Sequence, residues 1–450
     1  MPELDRADVV IIGGGVVGCA IFRRLALGGL KPLLIEAGGD ILSGASKGNS
    51  AILHTGFDAP PGSLEVACMQ AGYREYLEIH EKLNLPLVET GALVVAWDEA
   101  QRAKLPAIVA QAHQNGVADV AEIPLGELRR REPNLAPHAL GAVFVPREHI
   151  IDPWSAPLAY VLQGIAHGGR VRRGCKVIGG DFADGRWSLQ TERGGISAGI
   201  VVNAAGNFGD HVEAICRPSP FKITPRKGQF VVFDKPAAAL VRAIILPVPT
   251  ERTKGIVMCR TAYGNLLVGP TAEDQEERER AEVDEATLQM LVAKGRELLP
   301  GLAAIGVNAI YAGLRPATQF KDYQISAVAA RNWISVGGIR STGLTGALGI
   351  AAHVAGLYAQ HFHPLADAAP IWTPVPNLCE ERPRPYQTGA EIVCHCEWVT
   401  RGEIAAALEG PLSAGDVGGL KRRTRAMMGR CQGFYCSADV MALAEGRLNP

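Results

Sequence analysis

The 450-residue sequence has no long hydrophobic run. Its N-terminal apolar stretch, Val9 to Ile12, is too short to span a bilayer and has no basic segment before it, so neither a membrane anchor nor a secretion signal is expected. Net charge is also missing: 45 Lys+Arg stand against 46 Asp+Glu, a formal −1, which leaves no electrostatic footprint for nucleic acid. There is no internal repeat and no low-complexity tract. Ten cysteines without a secretion signal argue against a disulfide framework, because cytosolic thiols stay reduced; a cytoplasmic location is expected. With 47% apolar and 20% charged residues, the composition is that of an ordinary soluble globular chain, long enough for two or three domains.

What is present begins with DVVIIGGGVVGCAIFRRLALGGLKPLLIE, Asp8 to Glu36. An apolar run breaks into Gly13, Gly14 and Gly15, passes Gly18 into a helical pattern, and ends after a second apolar run on an acid. That order reads as strand, tight turn, helix, strand. The glycines let the backbone approach a pyrophosphate, whose charge then sits on the helix N-terminus, while Glu36 is placed for the ribose hydroxyls of an adenosine. Dinucleotide binding follows, with FAD and NAD both open at this point.

Further along, a polar loop from Ala37 to Gly62 suits a chain that passes the cofactor's phosphates and then its ring. Leu64 to Leu83 has helical periodicity, Leu87 to Trp97 alternates as a strand, and a helix is expected from Glu99 to Asn115. A strand from Gly141, a turn at Asp152-Pro153 and a helix with Pro157 in its first turn come next. Ile200 to Val202 reads as a buried strand ending in Ala204-Ala205-Gly206, whose small residues allow a second close backbone approach. The region Phe221 to Arg331 is richer in strands and carries one charged helical stretch, Glu276 to Leu299; it reads as a mixed or antiparallel substrate domain. WISVGGIRSTGLTGALGIA then repeats strand, glycine loop and helix. Pro364 to Gln387 reads as a proline-rich linker before a small terminal module.

Four cysteines cluster in that module: Cys394 and Cys396 as C-x-C, Cys431 and Cys436 as C-x4-C. Four thiolates suffice for a [2Fe-2S] cluster. The same four could hold zinc, although structural zinc ligands are usually spaced C-x2-4-C, which C-x-C does not fit. The other six cysteines, Cys19, Cys68, Cys175, Cys216, Cys259 and Cys379, are scattered and read as small hydrophobes.

The segments GGGVVGCAIFRRL with Glu36, SKGNSAILHTGFD, ITPRKGQF, GNLLVGPTAED, AGLRPAT and GGIRSTGLTGALGIA together resemble the FAD-dependent oxidoreductases of the D-amino-acid oxidase-like superfamily, in particular its glycerol-3-phosphate dehydrogenase and L-2-hydroxyglutarate oxidase branch. VCHCEWVTRGEI and TRAMMGRCQGFYC resemble the bacterioferritin-associated-ferredoxin-like [2Fe-2S] domain fused to the large chain of the anaerobic glycerol-3-phosphate dehydrogenase. The resemblance implies FAD rather than NAD, and a [2Fe-2S] cluster on Cys394, Cys396, Cys431 and Cys436. It implies cofactor contacts from Gly13, Gly15, Val16, Val17, Gly18, Glu36, Ala37, Ser46, Asn49, Ser50, Ala51, Leu53 and His54. Val177, Ala205, Gly206, Gly313, Arg315, Gly338, Gly343, Leu344 and Thr345 complete that set. The expected fold is α/β with an α+β substrate domain. It comprises a Rossmann-like FAD domain (1–85, 141–215, 332–363), an inserted substrate domain (86–140, 216–331), a linker (364–387) and the iron–sulfur domain (388–450).

Oxidising an alcohol or amine at a flavin requires a group to take the hydroxyl or amine proton and a cation for the substrate's anionic end. Arg315 is the first candidate for the cation, since a guanidinium binds a carboxylate or phosphate through two hydrogen bonds, and Arg340 is the second. His54 is the candidate base, with Lys227 and His149 as further pocket edges. Where the aerobic glycerol-3-phosphate dehydrogenases carry HGGLR and GGKLT, this chain has HTGFD and STGLT, so Asp58 and Gly343 replace two cations and weaken the case for a phosphate dianion. The expectation is a dehydrogenase for a small anionic hydroxylated substrate, a 2-hydroxy acid or a glycerol-3-phosphate-like molecule. Electrons would leave through the cluster to an external acceptor, a redox protein or quinone-linked subunit; companion subunits or an oligomer are compatible. Rival expectations are an amino- or imino-acid dehydrogenase and a non-catalytic iron–sulfur module. Arg425 and Arg430 are expected to tune the cluster, meet an anionic partner, or lie solvated.

Overall fold

The computed structural model describes residues 5–249, 255–383, 387 and 389–449. Residues 384–386 of the expected linker, and the outermost residues of the first and last expected domains, lie outside these. Asp5–Ile12 forms the middle of an eight-stranded sheet, parallel to Leu33–Ile35 on one side and to Gly194–Asn203 on the other. Its side chains alternate between two cores: Val9 and Ile11 enter one with Phe22, Leu25 and Val202, while Val10 and Ile12 enter the other with Trp187 and Trp333. Burial on both faces is why this strand reads as an unbroken apolar run. Helices Val16–Leu27, Leu64–Ile79, Ser155–Ala166 and Gly343–His361 pack over the first core.

A nine-stranded mixed sheet forms the second layer, with Ile223–Phe233 paired antiparallel to Val307–Thr318 so that Arg226 lies opposite Arg315 and Gly228 opposite Gly313. A three-stranded sheet, Ile52–Leu53, His149–Ile151 and Leu87–Glu89, accompanies the two large ones.

Several local expectations change. Leu87 to Trp97 is two strands, broken at Gly91 (φ +62°); the second, Ala92–Ala96, is buried on both faces and so belongs to the core of the nine-stranded sheet. Glu99 to Asn115 divides into Glu99–Arg102, capped by Asp98, and Leu105–Gln114. The charged helix starts only at Glu285, where Asp284 accepts from Thr287 N–H. Gly141–Val145, placed by the expected boundary in the nucleotide domain, pairs with Ala92–Ala96 and Ala121–Ile123 in the other sheet. Gln324–Val328, expected in the substrate domain, instead extends the first sheet beside Trp333–Gly337. Strand partners distant in sequence decide both assignments.

Residues 363–383 contain no helix or strand, yet they are pinned as a strap: Ala366 N–H donates to Gly28 O, Val375 N–H to Leu83 O, and Val375 and Leu378 are buried. The terminal module has its own core around Val393, Ile404, Leu420 and Val440. It docks through Asp40, whose fully buried carboxylate accepts from Arg423 at 2.6 and 2.9 Å, from Arg173 at 3.2 Å and from Gly415 N–H. Burial pushes the Asp40 carboxyl up, but Arg423 and the other donors outweigh it and hold it below its usual value. Lys235–Glu397 and Arg430–Asp234 tie the same module to the segment that follows Ile223–Phe233 of the nine-stranded sheet. No helix among the described residues is long and apolar enough to cross a membrane.

Candidate active site

The first glycine loop is shaped by contacts that leave no room for side chains. Gly13 has φ +111°, and a Cβ there would collide with the Ala204 carbonyl; a Cβ on Gly18 would collide with the Gly13 carbonyl. Gly15, which begins the helix Val16–Leu27, supplies no side-chain cap, and neither does Thr342 at the start of Gly343–His361. Both helix N-termini border one cleft, lined by Gly15, Val16, Val17, Ser46, Asn49, Ser50, Gly206, Gly313, Arg315, Gly338, Gly343 and Leu344. Ser46 Oγ accepts from Val16 N–H at 3.0 Å. Beside the loop, Glu36 accepts from Gly14 N–H at 2.6 Å and from Gly38 N–H at 2.7 Å, while burial pushes its carboxyl up against these bonds. A cradle of two helix N-termini whose N-cap residues supply no side-chain cap, for phosphate, and a carboxylate for ribose fits FAD.

The remaining expected cofactor residues stand behind this wall. Gly13 and Gly18 shape the loop, Ala37 is exposed beyond Glu36, and Ala204 rather than Ala205 faces the cleft. Val177 is a sheet residue opposite Thr191. Ala51 and Leu53 are buried, and Thr345 Oγ1 accepts from His54 N–H while donating to Ile52 O.

A second cavity shares Ser50, Pro270, Arg315, Arg340 and Ser341 with the cleft and brings together His54, Asp58, Glu65, Arg226, Arg315 and Arg340. The three catalytic candidates are therefore neighbours of one space. Arg315 donates from Nε to Arg226 O (3.2 Å) and from Nη2 to Lys227 O (3.0 Å) and Thr271 O (2.7 Å). Backbone oxygens fix this guanidinium without neutralising it; burial, then the nearby Arg226, lower its pKa to about 10. The other cations beside it are matched among the described residues. Arg226 pairs with Asp274, Lys227 with Glu273, and Arg340 with Glu65 at 3.0 Å and with the Lys321 carbonyl. Glu65 also accepts from Thr342 Oγ1 at 2.8 Å.

His54 Nδ1 lies 2.6 Å from Glu148 Oε2. Glu148 was missed in favour of its neighbour His149, which is buried against Tyr73, with its pKa lowered by burial, and does not line the cavity. Lys227 likewise offers its backbone oxygen and commits its ammonium to Glu273.

In the terminal module, Cys394 and Cys436 are buried and Cys396 and Cys431 half-buried, the thiols interacting as Cys394 with Cys436 and Cys396 with Cys431. Among the described residues, no three of His, Cys, Asp and Glu are grouped to hold a single metal ion. The Tyr435 N–H, joined by those of Gly433 and Phe434, lowers the Cys431 thiol, and burial raises Cys436 to about 12. Backbone donors aimed at a cysteine sulfur fit an anionic thiolate cluster. Gly429 is required here, since a Cβ would collide with that of Cys396. Arg425 is not a surface residue: it is buried, bonded to Glu397 at 2.9 Å, and stacked 3.8 Å over the Tyr263 ring. Arg430 is exposed and paired with Asp234.

A dinucleotide cleft opening into a cationic cavity, with a four-thiol module docked on it, defines a flavin-type oxidoreductase with an attached redox centre. The chain belongs to the FAD dependent oxidoreductase family, whose match covers residues 8–357, and residues 392–445 match the BFD-like [2Fe-2S] binding domain. A glycerol 3-phosphate dehydrogenase of Caloramator mitchellensis is 31% identical over 98% of this chain and 94% of its own length. One chain of the anaerobic glycerol-3-phosphate dehydrogenase of Escherichia coli K12 is 27% identical over 98% of this chain and 89% of its own. The dithionite-reduced, FAD-bound L-α-glycerophosphate oxidase of Mycoplasma pneumoniae superposes with a TM-score of 0.77 at 25% identity, covering 83% of this chain and all of that one.

Proposed function

We propose that this chain is a dehydrogenase that oxidises the secondary alcohol of glycerol 3-phosphate or a closely similar small anion. The observation that carries this reading is Arg315: a half-buried guanidinium held by three backbone oxygens, with no carboxylate paired to it among the described residues, on the wall shared by cofactor cleft and substrate cavity. When bound, FAD supplies the hydride acceptor. Arg315 holds the substrate's anionic end, and the carbonyls of Arg226, Lys227 and Thr271 keep its fork aimed. His54 takes the hydroxyl proton at Nε2. Arg340, already paired with Glu65, shapes the cavity more than it charges it. The cysteine module holds a one-electron carrier, which suits a dehydrogenase serving an external acceptor, with a redox protein or companion subunit receiving the electrons. Ten free cysteines accord with a cytoplasmic setting.

A 2-hydroxy acid is the second reading, favoured by Asp58 on the cavity wall and by the neutralisation of Arg340, which leave one unmatched cation among the described residues for a monoanion. An Arg315 that faces an open cavity beside the cleft counts against a non-catalytic module. A dye-reduction panel of glycerol 3-phosphate, 2-hydroxy acids and amino or imino acids tests the proposal. Turnover confined to the amines would overturn it.

A further inference from the structure

The turn at Pro146 to Glu148, between Gly141–Val145 in the nine-stranded sheet and His149–Ile151 in the three-stranded one, places a carboxylate in the interior. Glu148 is fully buried. Its Oε1 accepts from Thr55 N–H at 2.6 Å and Thr55 Oγ at 2.8 Å, while Oε2 meets His54 Nδ1 at 2.6 Å. Its backbone oxygen is fixed separately by Gly91 N–H at 2.9 Å. An isolated buried carboxylate is costly, and two donors on one oxygen leave the other to be satisfied by the imidazole. His54 is held from its own backbone as well, by the N–H bond to Thr345 Oγ1. The His54 backbone and the Glu148 carboxylate are thus each anchored by neighbours other than the other residue, and the short ring–carboxylate contact is what those anchors present.

We propose that Glu148 is a positioning residue for proton transfer. It accepts the Nδ1–H of His54, so that Nε2 is the nitrogen that takes the substrate hydroxyl proton. The proposal rests on the reading of His54 as the base. A neutral imidazole carries its hydrogen on one nitrogen only; with Nδ1–H given to Glu148, the lone pair lies on Nε2. The O–H bond of the substrate breaks as the Nε2–H bond forms, and the C–H electron pair leaves to FAD, the two-electron oxidant the family supplies. The imidazolium so formed stands beside a carboxylate shielded from water, where the attraction is strong. That attraction opposes Arg315, Arg226 and Arg340, the cations on the cavity walls among the described residues, of which Arg340 is matched by Glu65 and Arg226 by Asp274; among the same residues Asp58 is the further acid there, and Arg147, next to Glu148, is paired with Asp119. Without Glu148 these cations would favour the neutral ring and weaken it as a base.

The test compares Glu148→Gln, His54→Asn and the double variant in FAD-loaded full-length protein, with the substrate identified by the dye-reduction panel. Glu148→Gln is expected to lower kcat about 100-fold with KM changed less than about threefold, and to move the acidic limb of kcat/KM to lower pH. In the His54→Asn background it should add nothing, because a residue acting through the histidine has no further effect once the ring is gone. Independently of turnover, [15N]histidine-labelled protein should show a low-field Nδ1–H proton signal that His54→Asn and Glu148→Gln both remove. Glu148→Asp, a shorter carboxylate, should retain the signal and an intermediate rate, and it serves if Glu148→Gln does not fold. A silent Glu148→Gln beside an impaired His54→Asn overturns this proposal alone, as do full multiplication of the two losses or absence of the proton signal in the unmodified protein. A silent His54→Asn overturns the base assignment itself, and this proposal with it.

Discussion

Replacing Arg315 by lysine keeps a positive charge and removes the planar fork. In the structure the fork is already engaged on one edge, through Nε and Nη2, with the carbonyls of Arg226, Lys227 and Thr271 at 3.2, 3.0 and 2.7 Å. A lysine ammonium has three donors, and spending them on those oxygens leaves none for substrate; turning to substrate leaves buried oxygens unpaired. The loss is then that of a charged hydrogen-bonded contact to the anion, roughly 1.5–3 kcal/mol. At about 1.4 kcal/mol per tenfold, KM for an anionic substrate should rise about 10- to 150-fold. Arg315→Met strips all three oxygens of their donors and is expected to destabilise the fold as well, so lysine is the cleaner probe. Steady-state dye reduction gives KM, and displacement of a non-reacting anionic analogue, followed through the flavin absorbance, gives affinity without turnover. A folded, FAD-loaded Arg315→Lys protein with KM and analogue affinity within about twofold of the parent would refute the assignment.

Further outcomes follow from the same contacts. With the Arg315 pKa lowered to about 10, the binding cation is present below that pH and is lost above it, so affinity for the anionic substrate should fall as pH rises through about 10; flat affinity across that range contradicts the assignment. Asp40→Asn leaves Arg423 and Arg173 facing an amide, costs about 3–5 kcal/mol for a broken buried pair, and should speed proteolytic cleavage within residues 363–383 as the terminal module loosens; an unchanged cleavage rate argues against the latch. Gly18→Ala would drive a methyl into the Gly13 carbonyl, so the purified protein should lack flavin absorbance, and a normal FAD content would contradict the packing account.

Features that depend on local order were legible. The glycines and acid of Asp8 to Glu36 sit on consecutive strand, turn and helix, and the spacing of Cys394, Cys396, Cys431 and Cys436 is written within one small module. Features decided by distant partners were not. Gly141–Val145 looks like any apolar strand until Ala92–Ala96 and Ala121–Ile123 claim it. Arg340 resembles a free cation until Glu65, on the helix Leu64–Ile79, pairs with it, and Arg425 resembles a surface residue until Glu397 and Tyr263 enclose it. Glu148 was hidden for a related reason. In the string PREHII the histidine attracts attention, yet the neighbouring acid is the one that faces His54; a carboxylate in an otherwise apolar strand–turn–strand was the available signal.

In the proposed reaction the chain oxidises a small anionic alcohol with FAD and releases the electrons through its own cluster. The most direct test mixes FAD- and cluster-loaded protein anaerobically with glycerol 3-phosphate and follows flavin absorbance in a stopped-flow instrument, with the cluster read by electron paramagnetic resonance in samples frozen along the same time course. Bleaching of the flavin, followed within the turnover time by the signal of a reduced [2Fe-2S] centre, is the predicted result. Bleaching with a cluster that stays oxidised would contradict the electron exit, and no bleaching with glycerol 3-phosphate or any 2-hydroxy acid would contradict the chemistry.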